Sequence, residues 1–270
     1  MKRILTAELR RVAFHRGMHL VTLVALLLYL IDTTVKVVYT LAQNHGRSMD
    51  SYHESLAFPG LVFTSLGTSY ILMLVLGPAI VALVFGQDYS SDTWKMILPK
   101  VSSRYRLYLA KSLTAFAGVA FIILLGQITL GVGSAIASAK IGARFFFVPE
   151  PELLHFGMEI GIETIVFTLW YTTLSAVLVI ASRSQLVGAF ATLSAYFGFV
   201  FIRMYSPEYI ALWFAPSHFS NLLPEFYRDG LIHGGHRLSV ASSISWLITG
   251  AHLFAQILLG SAVLKKQDFD

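Results

Sequence analysis

Six long apolar runs restrict this chain to a narrow set of folds. Two of them, Leu61–Phe85 and Leu113–Ala137, have 25 residues each. At a rise of about 1.5 Å per residue, a helix of that length crosses a hydrocarbon core of about 30 Å. We therefore predict six transmembrane helices, over His19–Tyr39, Leu61–Phe85, Leu113–Ala137, Ile160–Ile180, Leu186–Phe201 and Ala241–Leu264.

Composition supports the same fold class. Of the 270 residues, 56% are hydrophobic and only 13% are charged, whereas soluble domains carry about 25% charged residues. Six spans and their connections leave little chain for a soluble domain, so residues 1–270 are predicted to form a single all-α transmembrane domain. The absence of cysteine excludes disulfides and thiolate metal sites.

The distribution of Lys and Arg predicts the orientation of the spans. Five lie in residues 1–16 and five in residues 86–112, and with Arg183, Lys265 and Lys266 that side holds thirteen, against five in the opposite loops. By the positive-inside rule, both termini and the 86–112 loop are expected in the cytoplasm. Topology thus explains the net charge of +5, without a nucleic-acid partner.

Residues 1–16 are predicted to form an interfacial helix. Their apolar side chains fall on one side at helical spacing, and most polar ones lie opposite. A signal peptide is the alternative, but the leader is long, contains Glu8, and is not followed by a small-residue cleavage site. The apolar side comprises Ile4, Leu5, Leu9, Val12 and Ala13, and the polar side Lys2, Arg3, Thr6 and Arg10.

The polar segment 86–112 is too long for a tight turn and carries a helical pattern. We predict a short amphipathic helix that begins at Asp92 after a capping Ser91 and cannot continue past Pro99. Ser102 or Ser103 is expected to cap the helix that follows. On the short helix Trp94, Ile97 and Leu98 share one face, which suits docking onto a soluble protein. The alternative is a solvated loop with Trp94 at the lipid interface.

This segment resembles the cytoplasmic loop of ABC type-2 transporter permeases. Asp88 stands in the place of the acid of that pattern, Thr93 in that of its threonine, Val101–Arg104 in that of its Ser-Arg element, and Lys111 in that of the lysine that opens the next span. The chain departs from the pattern at Asp92, where a glycine is usual, and at the early proline Pro99.

The resemblance implies a permease subunit that pairs with a second copy or a sister permease and with two ABC ATPase subunits. ATP and Mg²⁺ would bind those partners, because this chain contains no Gly-x-x-x-x-Gly-Lys-Ser/Thr loop, and no cofactor or enzymatic activity is expected here. The implied function is export of a hydrophobic or amphipathic compound across a prokaryotic plasma membrane. The implied ATPase-coupling residues are Asp88, Asp92, Thr93, Trp94, Lys95, Ile97, Leu98, Arg104 and Lys111.

Charged residues in the predicted spans are candidates for the pathway or its gate. Asp32 and Lys36 lie four apart and are expected to pair. Glu159 and Glu163 share a face after His155, a spacing that could hold a metal, although a hydrated helix start explains it better.

The loop 206–240 is predicted to be external, with short helices, and its two histidines, His233 and His236, are not expected to bind metal. Two other classes stay open, an intramembrane enzyme and a membrane scaffold. The chain lacks the usual intramembrane protease motifs.

Overall fold

We analysed a computed structural model, which describes residues 2–43, 56–91, 93–97, 103–146, 151–205, 208–219, 222 and 240–267. Over these residues the chain is helical apart from short turns and one isolated bridge between Phe58 and Phe146. The α-helices are α1 Lys2–Ala13, α2 Arg16–Gln43, α3 Gly60–Val81, α4 Gln87–Ser90, α5 Thr93–Ile97, α6 Arg104–Ile141, α7 Pro151–Ser182, α8 Gln185–Tyr205, α9 Glu208–Ala211, α10 Ala215–His218 and α11 Ser242–Lys266.

Within the described ranges, five helices are long and apolar enough to cross a membrane. They confirm an all-α fold of the multi-pass membrane type. They cover Arg16–Ala42, Leu72–Tyr89, Arg104–Ile141, Ile160–Ser182 and Ser242–Lys266.

The fifth predicted span, Leu186–Phe201, is not among these five helices. Its apolar part, Gln185–Phe199, is shorter than the other five. Helix α8 as a whole has 21 residues, which corresponds to about 31 Å. Six crossings therefore remain a prediction.

Helix α3 does not stop at the predicted loop. It runs through a π-helical turn, Ala82–Gly86, directly into α4. A π-turn shifts the carbonyl ladder by one residue, and such turns often occur at functional positions. The turn lies beside α1 and α6, where the charged cluster described below is found.

The termini and the short α4–α5 segment meet at one end of the bundle, here called the basic end. Arg11 of α1 binds Asp88 of α4. The Tyr89 hydroxyl lies 2.6 Å from Oε1 of Gln267, whose Nε2 donates to the Ile180 carbonyl at 2.6 Å. The described parts of the segments that are rich in Lys and Arg thus share one end.

The opposite end of the bundle is apolar and aromatic. Phe58 donates its backbone N–H to the Phe145 carbonyl at 2.8 Å. A second cluster packs α7 against α8 and α10 through Phe167, Trp170 and Phe219. Since α8 begins at the basic end beside Gly86 and reaches this cluster, it extends alongside the longer spans.

One glycine sets the distance between α7 and α8. A Cβ at Gly188 would lie 2.5 Å from the Cα of Val179, a backbone atom that cannot move aside. The two helices can therefore cross this closely only if residue 188 has no side chain.

We predict that Gly188→Ala destabilises the protein by about 1–3 kcal/mol, because overpacking forces the helices apart. Gly198→Ala on the same helix is the matched control. Its Cβ would meet no atom within 4 Å, and alanine has the higher helix propensity. Thermal melts of both variants in detergent measure the difference, and equal melting temperatures would contradict the close crossing.

Candidate functional site

Four charged side chains form a buried cluster at the basic end. Lys111 Nζ lies 3.0 Å from Glu8 Oε2 and 2.5 Å from Asp88 Oδ2. Arg11 Nη2 lies 2.8 Å from Glu8 Oε2, and its Nη1 contacts Asp88 Oδ1. Each cation thus contacts both carboxylates, so α1, α4 and α6 are joined in one closed ring of ion pairs.

Local helix geometry positions each member of the cluster. Glu8 and Arg11 are three apart on α1 and therefore project from one face. Asp88 follows the π-turn by two residues. The carbonyl of Val84, within the turn, accepts from Arg11 Nη2 at 2.9 Å and from Lys111 Nζ at 3.2 Å. The turn therefore supplies a backbone acceptor to both cations.

Burial makes this cluster energetically sensitive. The side chains of Asp88 and Lys111 are fully buried, Glu8 is 8% exposed and Arg11 is 28% exposed. Two positive and two negative charges give a net charge of zero, which offsets part of the desolvation cost. Removing one member would leave an uncompensated buried charge, which costs about 3–5 kcal/mol in other proteins.

The structure corrects the predicted role of Trp94 as an outward docking anchor. Its side chain is 1% exposed and belongs to the core. Its ring centroid lies 5.3 Å from Lys111 Nζ, a cation–π contact, and 5.4 Å from the Tyr89 ring. Ile97, predicted to share the docking face, also packs against this core. The shared face of Trp94 and Ile97 therefore points into the chain's own bundle.

The outward face of α5 carries Met96, which is not among the predicted coupling residues. Met96 is 59% exposed. Thr93 is half-buried, and its hydroxyl contacts that of Ser91. Asp92 and Leu98 lie outside the described residues, as does the side chain of Lys95.

Arg104 binds the end of the last span. Its Nη1 donates to the carbonyls of Leu264 at 3.2 Å, Lys265 at 2.7 Å and Gln267 at 3.1 Å. These carbonyls lie at the C-terminus of α11, where a cation interacts favourably with the helix dipole. Ser103 caps α6 as predicted, since its Oγ accepts from the Arg106 N–H at 3.4 Å.

The predicted pathway residues lie apart from this cluster. Asp32 and Lys36 form the expected ion pair, at 2.9 Å on α2. Glu163 is 2% exposed on α7, and the side chain of Glu159 lies outside the described residues. In the described part of the chain, no group of three or more His, Asp or Glu side chains could hold a metal ion.

Glu8 and Arg11 are not among the predicted site residues. Glu8 is the one acid in the basic leader, and it lies four residues from both Ile4 and Val12, which pack on the core. An acid on the buried side of an amphipathic helix is a signal for a partner cation, but the sequence does not identify Lys111 as that partner.

A buried histidine, also unexpected from sequence, fixes the opposite end. His218 Nε2 donates to the Leu212 carbonyl at 2.9 Å, so Nδ1 accepts from the Ser245 hydroxyl at 2.9 Å. Burial lowers the pKa of His218 below its usual value. The neutral ring thus joins α10 to α11.

No protein-family model matches this chain, and no curated protein is significantly similar to it.

We predict that Lys111→Met lowers the free energy of unfolding by about 3–5 kcal/mol, because two buried carboxylates then share one cation. Lys140→Met, an exposed lysine on the same helix, should change it by no more than about 0.5 kcal/mol. Adding Glu8→Gln to Lys111→Met should restore part of the loss, since the ring becomes neutral again. Denaturant unfolding in detergent measures all three, and equal effects at positions 111 and 140 would contradict a stabilising cluster.

Proposed function

We propose that this chain is the membrane subunit of an ABC transporter that exports a hydrophobic or amphipathic compound. It pairs with a second permease copy or sister permease, and with two ATPase subunits that bind ATP and Mg²⁺. The pattern from Asp88 to Lys111 supports this proposal, together with the position of α5 at the end of the bundle where the basic segments meet.

The observation that carries the proposal is the packing of α5 against α4 and α6, and through Lys111 its connection to α1. Trp94 is buried beside Lys111 of α6 and Tyr89 of α4, and Lys111 in turn binds Glu8 of α1. A coupling helix must transmit a push from an ATPase to the spans. Because packed interfaces shift between discrete arrangements rather than stretching, a push on α5 would move α1, α3 and α6 together.

The partner-facing surface follows from the same geometry. Met96 is the exposed large apolar side chain of α5, and methionine adapts well to protein surfaces. In this mechanism Met96 contacts the ATPase, while Trp94 and Ile97 fix α5 to the membrane domain. Asp32, Lys36 and Glu163 remain the candidates for the pathway or its gate, and the proposal assigns no covalent chemistry to any residue.

We predict that Met96→Glu releases the ATPase subunit without unfolding the membrane domain, because a charge is placed on an exposed docking face. Trp94→Ala should instead lower the free energy of unfolding by about 3–5 kcal/mol, because it leaves a cavity in the core. The tagged chain is purified from its native membranes in mild detergent, and a co-purifying subunit with a phosphate-binding loop is quantified for each variant.

Stable, folded Met96→Glu protein that still retains the ATPase and transports normally would contradict the assigned docking face. Failure of the parent chain to co-purify with any ATP-hydrolysing subunit under conditions that preserve its fold would contradict the transporter proposal itself.

The proposal also requires the basic end to be cytoplasmic. The thirteen-to-five asymmetry of Lys and Arg supports that orientation. The chain has no native cysteine, so any labelling by a thiol reagent can be assigned to the single cysteine that is introduced. Met96 suits the test better than Ser103, because Ser103 caps α6.

We predict that a membrane-impermeant thiol reagent labels Ser51→Cys and Ser217→Cys in intact cells and labels Met96→Cys only after the cells are opened. Both outer positions serve as positive controls for reagent access. Labelling of Met96→Cys in intact cells would reverse the orientation and place α5 beyond the reach of a cytoplasmic ATPase.

A further inference from the structure

A groove of about 850 Å³ lies at the basic end, between the first turn of α6 and the last turns of α11. It is separate from the four-charge cluster and from the outward face of α5. Its lining is polar toward the helix ends and apolar toward the middle of the bundle. The lining includes Ser103, Arg104, Tyr105, Leu258, Ser261 and Lys265.

The polar part of the groove is positively charged. Arg104 uses only Nη1 for the three carbonyls of α11. Among the described residues, its Nη2 and Nε and the Nζ of Lys265 donate to no carboxylate or carbonyl. The two described carboxylates of this end, Glu8 and Asp88, are paired with Arg11 and Lys111. The groove therefore has hydrogen-bond donors and positive charge available for an anion.

The apolar part continues along α11. Leu258 lies seven residues before Lys265, on the same face and about 10 Å deeper along the helix, and is 47% exposed. Tyr105, 48% exposed, also lines the groove, and tyrosine is common at membrane interfaces. A positively charged part of the groove next to an apolar part matches an amphiphile with an anionic head group.

We propose that this groove binds one anionic phospholipid, whose phosphate contacts Arg104 and Lys265 and whose acyl chain lies along Leu258. Charge complementarity favours this occupant. A zwitterionic lipid would bring a second cation next to Lys265, whereas the anionic lipid has no such charge. The proposal depends on the membrane placement of α11 and not on the transport function, so its test is independent of any ATPase.

The first test compares two adjacent positions on α11. The chain has no cysteine of its own, so a fluorophore can be attached to a single introduced cysteine. Two variants are labelled and placed in nanodiscs: Leu258→Cys, in the groove, and Leu259→Cys, outside it. Leu259 is 55% exposed. Nitroxide-labelled phosphatidylglycerol should associate about fivefold more strongly than nitroxide-labelled phosphatidylcholine at position 258, and about equally at 259. Equal quenching by the two lipids at both positions would overturn the proposal.

The second test separates the groove from general surface charge. Lys265→Gln, made with Leu258→Cys, should abolish the selectivity, while Lys266→Gln, with the same charge change outside the lining, should preserve it. Equal losses of selectivity in the two variants would show a diffuse effect of surface charge and would overturn the site.

A further control tests whether the bound phosphate belongs to a lipid. If water-soluble glycerol phosphate displaces the labelled lipid, the groove binds a soluble phosphate and the proposal is overturned. If selectivity is absent and appears only with Asp268→Asn and Asp270→Asn, the chain's own tail fills the groove and the proposal fails.

Discussion

The arrangement of the basic end depends on the ring of ion pairs among Glu8, Arg11, Asp88 and Lys111. Each of these charges would be costly to bury alone, and in the ring each cation contacts both carboxylates. The N-terminal helix is consequently part of the packed structure, because it supplies Glu8 and Arg11 to the ring and Val12 to the core. The π-turn at residues 82–86 contributes to the same arrangement, since its Val84 carbonyl accepts from both cations.

This ring also explains the orientation of α5. Lys111 Nζ contacts two carboxylates and also lies 5.3 Å from the centroid of the Trp94 ring. A buried ammonium gains more from an aromatic face than an exposed one does, so the indole is favoured inside the bundle rather than on a partner protein. The segment from Asp88 to Lys111 is consequently connected to the membrane domain by charge at both ends and by packing at Trp94. If α5 couples to an ATPase, it does so as a helix packed on the bundle and not as a segment that moves independently of it.

Local sequence patterns predicted the helices and the contacts within one helix. They did not predict the contacts between residues that are far apart in the sequence. Apolar runs identified the long helices, because length and hydrophobicity are properties of a single segment, but α6 and α7 each begin nine residues before the predicted span. The Asp32–Lys36 pair was predictable for the same reason, since its partners lie one helical turn apart. The partnership of Glu8 with Lys111 joins residues 103 apart, and no local pattern contains that information. The error at Trp94 has a related cause: spacing shows which side chains share a face, but not whether that face turns toward the bundle or away from it.

The two ends of the bundle use different means to hold the connecting segments. At the basic end, ion pairs and Arg104 join α1, α4, α6 and the last turn of α11. At the opposite end, neutral contacts do so: ring packing around Trp170 and the hydrogen bonds of His218. A movement that opened one end would therefore have to break charge pairs, and a movement that opened the other would separate aromatic rings and one buried imidazole. Separating the charge pairs would leave buried charges uncompensated, which costs about 3–5 kcal/mol in other proteins. For a transporter built on this fold, we infer that the basic end moves as one piece and that the larger rearrangements occur among the helices at the aromatic end.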